Sequence, residues 1–471
     1  MGTVVSIVVA HRIRPADLAV IHLNYDKGDG INYGADIRFD FNPLWEFGRD
    51  TDSTAFDLLL LSVIVYNVDR MLNRVIHSSD GWKREITLEG VPARNAATMN
   101  GAAHLFESSI SFLTGDKWTI RFVQHGSWEY RPQTNRQYDR NQYTKVALFS
   151  GGLDSLIGFV DETYTLNESE RILLISHVEQ GKEGTDQNGI ISYCEDHHIY
   201  DGRYDRIMSR VSLSRSANVD REASESTFRS RSLLFFAMGI YCAHSIDNGM
   251  QLIVPENGTI SINIPLNPSR RSACSTRTTH PVFMKRLGEA MHAIGINNTL
   301  YNPYRLMSKA DMMVECCRTH EKENIIKQLL GLSCSCAKRS HNYHWDKSSA
   351  IIKERHINHC GMCLPCIYRR VALDAINLDN PDYLGTNINN GNSYNIDDLM
   401  QKRARDYRSL LFFIRNRFNE NYIRKELKAN HITSEMGLED YVNLAMQSYR
   451  QVAAWVAKNG SPRIKQIAGV Q

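Results

Sequence analysis

The chain has 471 residues, a length that suggests about two to four domains and is sufficient to bury a large core. Hydrophobic residues make up 42% of the chain and charged residues 23%, which excludes collagen-like, low-complexity and largely disordered proteins. The 55 Lys and Arg residues nearly balance the 52 Asp and Glu residues. The net charge of +3 does not indicate the strongly basic surface that is typical of nucleic-acid-binding proteins. No segment reaches the ~20 consecutive apolar residues of a membrane span, and we expect a cytoplasmic protein.

Residues 1–140 mix short strands with helices and contain no catalytic motif. Strands are predicted at Val4–Val9, which is a nearly apolar run, at Lys83–Leu88, where apolar and polar residues alternate, and at Ala19–Leu23 and Trp118–Val123. Apolar residues at helical spacing predict helices at about Ala55–Arg74, capped by Ser53 or Thr54, and at Asn95–Leu113. We predict an α+β N-terminal domain over residues 1–140 that binds a protein partner.

Strands alternate with helices from Lys145 onward. Short apolar strands are predicted at Val146–Phe149, Ile172–Ile175 and Leu252–Val254, with an apolar helix at Ser232–His244. This alternation predicts an α/β domain over residues 141–375, in which helices flank a parallel sheet. The tail is rich in helical patterns, so residues 376–471 are predicted to form a helical C-terminal region. We predict that this region, like residues 1–140, binds a protein partner.

One motif joins a predicted strand to a predicted helix: Ser150-Gly151-Gly152-Leu153-Asp154-Ser155. The two glycines allow a tight turn and the close approach of a ligand. The helix that follows offers free N–H groups and a positive dipole end, and the serines add hydroxyl groups. The motif therefore predicts a phosphate-binding loop, with a chance glycine turn as the alternative. The GxxxxGKS/T signature is absent from the chain.

Cysteines are concentrated in one part of the sequence. Cys360, Cys363 and Cys366 have C-x2-C-x2-C spacing, and either Cys334 or Cys336 is available as a fourth ligand. Four thiolates predict a structural zinc site, with an iron–sulfur cluster as the alternative. Four histidines lie nearby and are expected to be solvent-facing rather than ligands: His341, His344, His356 and His359.

The glycine loop resembles the PP-loop of the N-type ATP pyrophosphatases, whose SGGxDS pattern it matches throughout. With Cys334-Ser335 and the segment from Cys360 to Arg369, the chain resembles the QueC-type 7-cyano-7-deazaguanine synthases over roughly residues 144–375. The resemblance implies a PP-loop fold, in which ATP is cleaved to AMP and pyrophosphate while a substrate oxygen is adenylated.

The resemblance also implies roles for individual residues. ATP would be held by Ser150, Gly151, Gly152, Leu153, Asp154, Ser155 and Arg231. The implied catalytic residues are Ser150, Asp154, Ser155 and Lys309, with Asp154 near the pyrophosphate and its Mg²⁺. The implied zinc ligands are Cys334, Cys360, Cys363 and Cys366. An acceptor pocket is expected at residues 255–258 and 275–281, and the alternative for the second segment is a cap of the helix predicted at Phe283–Ile294.

The family's free-standing enzymes lack both flanking regions, and this longer architecture resembles the QueC-like proteins of the Qat anti-phage systems. It implies ATP-dependent activation of a 7-deazaguanine-type carboxylate and its transfer to an amine, either ammonia or a group on a protein partner from the same defence operon. Nucleic acid and membranes are not expected partners. The alternatives are a PP-loop tRNA thiolase with an iron–sulfur cluster and a non-catalytic nucleotide-binding scaffold.

Overall fold

The computed structural model of the chain describes residues 2–10, 20–26, 31–128, 130, 132, 136–178, 181–215, 225, 227, 229–266, 277–337, 345, 347–387 and 404–471. Within these residues the strands are β1 (Thr3–Ala10), β2 (Val20–Asp26), β3 (Asn32–Phe39), β4 (Glu85–Ala93), β5 (Lys117–Gln124), β6 (Tyr143–Leu148), β7 (Arg171–Val178), β8 (Tyr204–Arg215), β9 (Leu252–Ile253) and β10 (Leu300–Tyr301).

The α-helices of the described residues cover both flanks and the centre of the chain. They are α1 (Asn42–Gly48), α2 (Thr54–Met71), α3 (Arg74–His77), α4 (Ala96–Gly101), α5 (Ala103–Thr114), α6 (Leu153–Tyr164), α7 (Gly181–Asp196), α8 (Arg231–Ile246), α9 (Gly258–Ile262), α10 (Pro281–Ala293), α11 (Lys309–Cys316), α12 (His320–Leu329), α13 (Ser349–Glu354), α14 (Leu364–Asp374), α15 (Arg405–Asn416), α16 (Glu420–Ala429), α17 (Leu438–Asn459) and α18 (Pro462–Ala468).

All ten strands belong to one sheet, in the order β10-β9-β6-β7-β8-β3-β2-β1-β4-β5. Strands β10, β9, β6, β7 and β8 are neighbours in this order, and each pairs parallel with the next. This pairing confirms the parallel sheet predicted for the central region. Strands β8, β3, β2 and β1 pair antiparallel, and β1, β4 and β5 pair parallel. The protein is therefore mixed α/β, and the sheet continues across the domain boundary predicted near residue 140.

Strand order makes β6 a switch point of the sheet. The chain moves from β6 to β7 and β8 in one direction and then returns to β9 on the other side of β6. Because crossovers between parallel strands are right-handed, α6 and α8 are expected to cover opposite faces. Ligands of open α/β sheets bind beyond the carboxyl ends of strands at such a switch point. The loop that follows β6 lies at this position.

The N-terminal helices follow the predicted pattern, with two differences at their ends. Helix α2 begins after Ser53, whose side chain accepts the N–H of Phe56, and it ends at Met71 rather than Arg74 because Asn73 caps a separate short helix. The helix predicted over residues 95–113 divides into α4 and α5 after Gly101. Glycine is a poor helix former, which accounts for a break at this point.

A buried ion network joins the N-terminal helices to the start of α8. The side chains of Asp69, Arg84 and Asp116 are fully buried, and Arg84 pairs with both carboxylates. Asp69 also accepts hydrogen bonds from the backbone N and the Oγ of Ser230, at 3.0 and 2.7 Å. Ser230 directly precedes Arg231, the first residue of α8. The network therefore fixes the end of α8 that carries Arg231.

Among the described residues, no helix combines the length and the apolar character needed to cross a membrane.

Candidate functional site

The glycine loop makes the sharp turn that the sequence predicts. Gly151 has a φ of 78°, a left-handed conformation that glycine adopts without steric cost. A Cβ atom at Gly151 would lie 3.0 Å from Cγ of Gln187, so the position is also confined. The Oγ atoms of Ser150 and Ser155 are 3.1 Å apart, and Ser155 Oγ donates to the carbonyl of Gly152 at 3.0 Å. The loop thus brings both hydroxyl groups to the start of α6.

Asp154 is the centre of a second group of polar side chains. Its Oδ1 lies 2.8 Å from Nζ of Lys309, and its Oδ2 accepts a hydrogen bond from Nδ2 of Asn257 at 2.8 Å. Asn257 Nδ2 also donates to Oε1 of Glu256 at 3.2 Å. Asp154 and Lys309 are only 8% and 6% exposed. The structure therefore brings together Asp154 and Lys309, two residues that the sequence analysis singled out separately.

Asp154 and Glu256 differ in pKa. Burial raises the pKa of Asp154, but the positive charge of Lys309 and the surrounding hydrogen bonds together lower it by more than burial raises it. The net pKa of Asp154 is therefore below the usual value. Burial and the negative charge of Asp154 together hold the pKa of Glu256 well above its usual value. The pKa values of the two carboxyl groups therefore move in opposite directions, and Glu256 keeps its proton to a higher pH than Asp154.

Four thiols form the candidate metal centre. The Sγ atoms of Cys336, Cys360, Cys363 and Cys366 all lie within 4.8 Å of one another, and those of Cys360 and Cys366 are 3.8 Å apart. Around a tetrahedral zinc ion with Zn–S bonds of about 2.3 Å, neighbouring sulfur atoms lie about 3.8 Å apart. In a [4Fe–4S] cluster each of the four thiolates binds a different iron atom, so the sulfur atoms lie farther apart than around a single ion. The donor set therefore fits a single metal ion and is compatible with zinc.

The turn between two of these cysteines supports the same geometry. Cys360 Sγ accepts the backbone N–H groups of Met362 and Cys363, each at 3.3 Å. Gly361 has a φ of 77°, and a Cβ atom there would lie 2.2 Å from the carbonyl oxygen of Thr386. Only glycine fits this position. Hydrogen bonds from the neighbouring thiols hold the pKa of Cys360 well below its usual value.

The structure replaces Cys334 with Cys336 as the fourth candidate ligand. Cys334 N donates to the carbonyl of Gly151 at 2.9 Å, and its Sγ lies 3.5 Å from the carbonyl of Asn358. Cys336 Sγ instead accepts the N–H of Cys360 at 3.3 Å. The prediction of Cys334 is corrected because contact with the glycine loop holds Cys334 away from the thiol cluster.

Residues 333–336, here called the strap, connect the thiol cluster to the glycine loop. Ser335 Oγ accepts the N–H of Leu153 at 3.2 Å, and Ser335 N donates to Nε2 of His359 at 3.2 Å. Arg369 Nη1, from α14, donates to Oγ of Ser333 at 2.9 Å. The strap therefore places the thiol cluster next to the candidate phosphate site.

The nearby histidines are not part of the thiol cluster in the described residues. His359 accepts the strap N–H and is only 5% exposed, so the expectation that it faces solvent is wrong, whereas His356 is exposed as expected. The other two histidines considered from the sequence, His341 and His344, lie outside the described residues.

His177 is a residue that sequence reasoning missed. It lies near the end of β7, is 1% exposed, and has no hydrogen-bond partner for either ring nitrogen among the described residues. Burial lowers its pKa to about 3, with a further contribution from the positive charges of Arg231 and Arg70. Gln187 Nε2 donates to the carbonyls of Ser150 and His177, at 3.2 and 3.3 Å. The feature of the sequence that could have indicated His177 is its position just after the predicted strand Ile172–Ile175, since ligands of parallel sheets bind beyond the carboxyl ends of strands.

The expected acceptor pocket is described only in part. Residues 275 and 276 lie outside the described residues. Thr279 Oγ1 is 2.9 Å from Oγ of Ser261 in α9, and the His280 side chain caps α10 by accepting the N–H of Val282. At His280, therefore, the segment forms the helix cap that was the alternative interpretation.

Comparison of the chain with protein-family models, with curated proteins and with solved structures found no match.

Proposed function

We propose that this protein is an ATP-dependent ligase or synthase of the PP-loop, QueC-like type. The observation that carries the proposal is the Ser150–Ser155 loop at the carboxyl end of a parallel strand, with Asp154 held by Lys309 directly behind it. A glycine turn that opens a helix can bind phosphate oxygens through N–H groups. The loop also lies at the switch point of the sheet, where such ligands bind.

The proposed reaction has two steps. A carboxylate oxygen of the substrate attacks the α-phosphorus of ATP, the bond to the bridging oxygen breaks, and pyrophosphate leaves. An amine nitrogen then attacks the acyl carbon, loses a proton, and AMP leaves. The first step concentrates negative charge on the departing pyrophosphate, and preorganised donors aimed at that charge lower the barrier.

The residues of this chain have separate tasks in the first step. The loop N–H groups and the hydroxyls of Ser150 and Ser155 bind the β- and γ-phosphates. The buried ammonium group of Lys309 lies next to Asp154. Its assigned task is to stabilise the negative charge that develops on the leaving pyrophosphate. Mg²⁺ would neutralise phosphate charge, and the carboxylate of Asp154 would supply an oxygen ligand of the kind that Mg²⁺ prefers. Arg231, which begins α8, is assigned to the nucleotide.

The proposed acyl substrate is a 7-deazaguanine-type carboxylate, and the proposed setting is a cytoplasmic anti-phage system with protein partners from the same operon. Support comes from the combination of SGGLDS with the C-x2-C-x2-C segment, the pattern by which the chain resembles QueC-type enzymes. The acceptor is an amine, either ammonia or a group on a partner protein.

A pyrophosphate-release assay tests the proposal. The wild-type chain is incubated with ATP, Mg²⁺ and candidate 7-deazaguanine carboxylates, and AMP is quantified in parallel. We expect stoichiometric AMP and pyrophosphate that depend on the carboxylate. Asp154→Ala and Ser150→Ala should lower the rate by about a hundredfold or more, because each removes a preorganised group.

Two results would contradict the enzymatic proposal. ATP binding without pyrophosphate release, with every carboxylate tried, would support the nucleotide-binding scaffold instead. Near-wild-type release by Asp154→Ala would show that the loop is not the catalytic element. Stoichiometric iron in the purified chain would revive the tRNA thiolase alternative, which the thiol spacing disfavours.

A further inference from the structure

Helix α17, in the C-terminal region, contacts both of the segments that hold Asp154. One segment begins α11 with Lys309, and the other is the turn at Asn257 that precedes α9. Helix α17 packs against both α9 and α11. Lys309 and Asn257 each lie 2.8 Å from an oxygen of Asp154. A single helix far along the chain therefore supports two partners of the same carboxylate.

The contact with α11 is made by two glutamines. Ser308 caps α11 in a capping box with Asp311. Gln451 Oε1 accepts from Oγ of Ser308 at 2.6 Å, and Gln451 Nε2 donates to Oδ1 of Asp311 at 2.8 Å. Gln447 Nε2 donates to both Asp311 oxygens at 3.0 Å. The glutamines thus hold the helix turn from which Lys309 extends.

The contact with α9 is close and partly polar. Thr259 Oγ1 and Ser448 Oγ are 2.7 Å apart. A Cβ atom at Gly258 would lie 2.5 Å from Cδ2 of Leu444 and 2.3 Å from the carbonyl oxygen of Arg305. The turn that presents Asn257 to Asp154 is therefore wedged between α17 and the segment before α11.

We propose that Gln447 and Gln451 are positioning residues for Lys309 in the phosphate site. The proposal rests on the proposed function, because the ligand is ATP. The glutamines do not touch ATP. They fix the first turn of α11, so that the ammonium group of Lys309 stays at Asp154. An error of about 1 Å in the position of such a group can cost a factor of ten or more in function. The C-terminal region is, on this proposal, part of the nucleotide site.

A double-mutant cycle tests the inference. ATP affinity is measured by calorimetry for the wild-type chain, the Gln447→Ala/Gln451→Ala variant, Lys309→Met, and the combined variant. We expect the glutamine pair to weaken ATP binding about tenfold in the wild-type background. In the Lys309→Met background the same pair should change the affinity less than about twofold, since interacting residues are not additive. Asn443→Ala, at an exposed position of the same helix, is the matched control and should bind ATP like the wild type.

The outcomes separate the inference from the proposed function. An equal loss of affinity in both backgrounds would show a general structural role and overturn the inference, as would wild-type affinity in the glutamine variant. Absence of ATP binding by the folded wild-type chain would overturn the proposed function and the inference with it. If the double variant does not fold, Gln451→Met, which keeps the side-chain length without its amide, provides the same comparison.

Discussion

The hydroxyl group of Ser335 accepts a hydrogen bond from the backbone N–H of Leu153 at 3.2 Å. Leu153 is the first residue of α6, so its N–H is one of the groups that a helix leaves without an internal partner. Ser335 lies next to Cys336, a member of the thiol cluster. The same short segment therefore contributes to the metal centre and caps the helix of the glycine loop. Changes at the metal are expected to reach the loop through this bond.

Replacement of Ser335 by Ala should expose the Leu153 amide to solvent. A hydrogen bond of this kind is worth about 0.5–1.5 kcal/mol, so we expect hydrogen exchange at Leu153 to accelerate by up to about tenfold. Mass spectrometry or NMR of the chain without nucleotide measures this rate. Ser335→Thr retains the hydroxyl group and should exchange like the wild type. Unchanged exchange in Ser335→Ala would show that the bond does not hold the loop.

Substitution of single cysteines should distinguish the two candidates for the fourth ligand. We expect one zinc per wild-type chain, bound by four sulfurs at about 2.3 Å in X-ray absorption. Cys336→Ser should lose most of the zinc and unfold at lower temperature, because structural metal binding contributes folding free energy. Cys334→Ser should keep the zinc. Loss of zinc from Cys334→Ser together with full retention in Cys336→Ser would reverse the assignment.

Glu256 should make the stability of the chain depend on pH. Because its pKa is raised above the ordinary value of 4.5, the folded chain keeps a proton that the unfolded chain releases near that pH. The stabilisation is complete below pH 4.5 and is lost as the pH rises toward the folded pKa. Glu256→Gln has no proton to release. It should therefore gain stability relative to the wild type as the pH rises from 4.5 to 7.

Denaturant unfolding at several pH values, without ATP or Mg²⁺, measures this gain. Glu289→Gln changes a glutamate that is about half exposed on α10 and should show no comparable trend. A constant difference between Glu256→Gln and the wild type across the range would contradict the assignment of the proton.

Asp69→Asn should strongly destabilise the fold. Asp69 and its partner Arg84 are both 0% exposed, and removal of one charge from a buried pair costs about 3–5 kcal/mol. Asp52→Asn is the control, because Asp52 pairs with Arg94 at 2.8 Å with 64% of its side chain exposed. Such a pair contributes at most about 1 kcal/mol. Chemical denaturation of the two variants measures the difference, and equal values would contradict the importance of the buried network.

Local patterns in the sequence were sufficient to predict several parts of the site. The turn at residues 150–153 depends on two adjacent glycines between a strand and a helix, and the structure contains that strand, turn and helix. The spacing of Cys360, Cys363 and Cys366 likewise placed three thiols together. The parallel arrangement of the central strands followed from the alternation of strands and helices. In each case the interacting residues are separated by a few positions in the sequence or by one unit of a strand and the helix that follows it.

Other relationships required the tertiary structure. The choice of Cys336 over Cys334 depends on the path of the strap across Gly151, and the contact between the glutamines of α17 and Asp311 spans about 140 residues of the chain. The union of the N-terminal strands with the central sheet depends on the pairing of β3 with β8. Partner binding by the two flanks stays a prediction.

The sequence by itself supplied the candidate groups of the site: a glycine turn predicted to bind phosphate, a cluster of thiols predicted to bind metal, and Asp154 and Lys309, which the resemblance singled out. The tertiary structure decided which of these groups meet, and it added Glu256, Asn257 and the supporting helix α17. Local motifs can be recognised because turn geometry and ligand spacing act over a few bonds. Contacts between distant segments are set by the order of strands in the sheet and by the packing of the core. Those properties belong to the whole chain and are not encoded in any short segment.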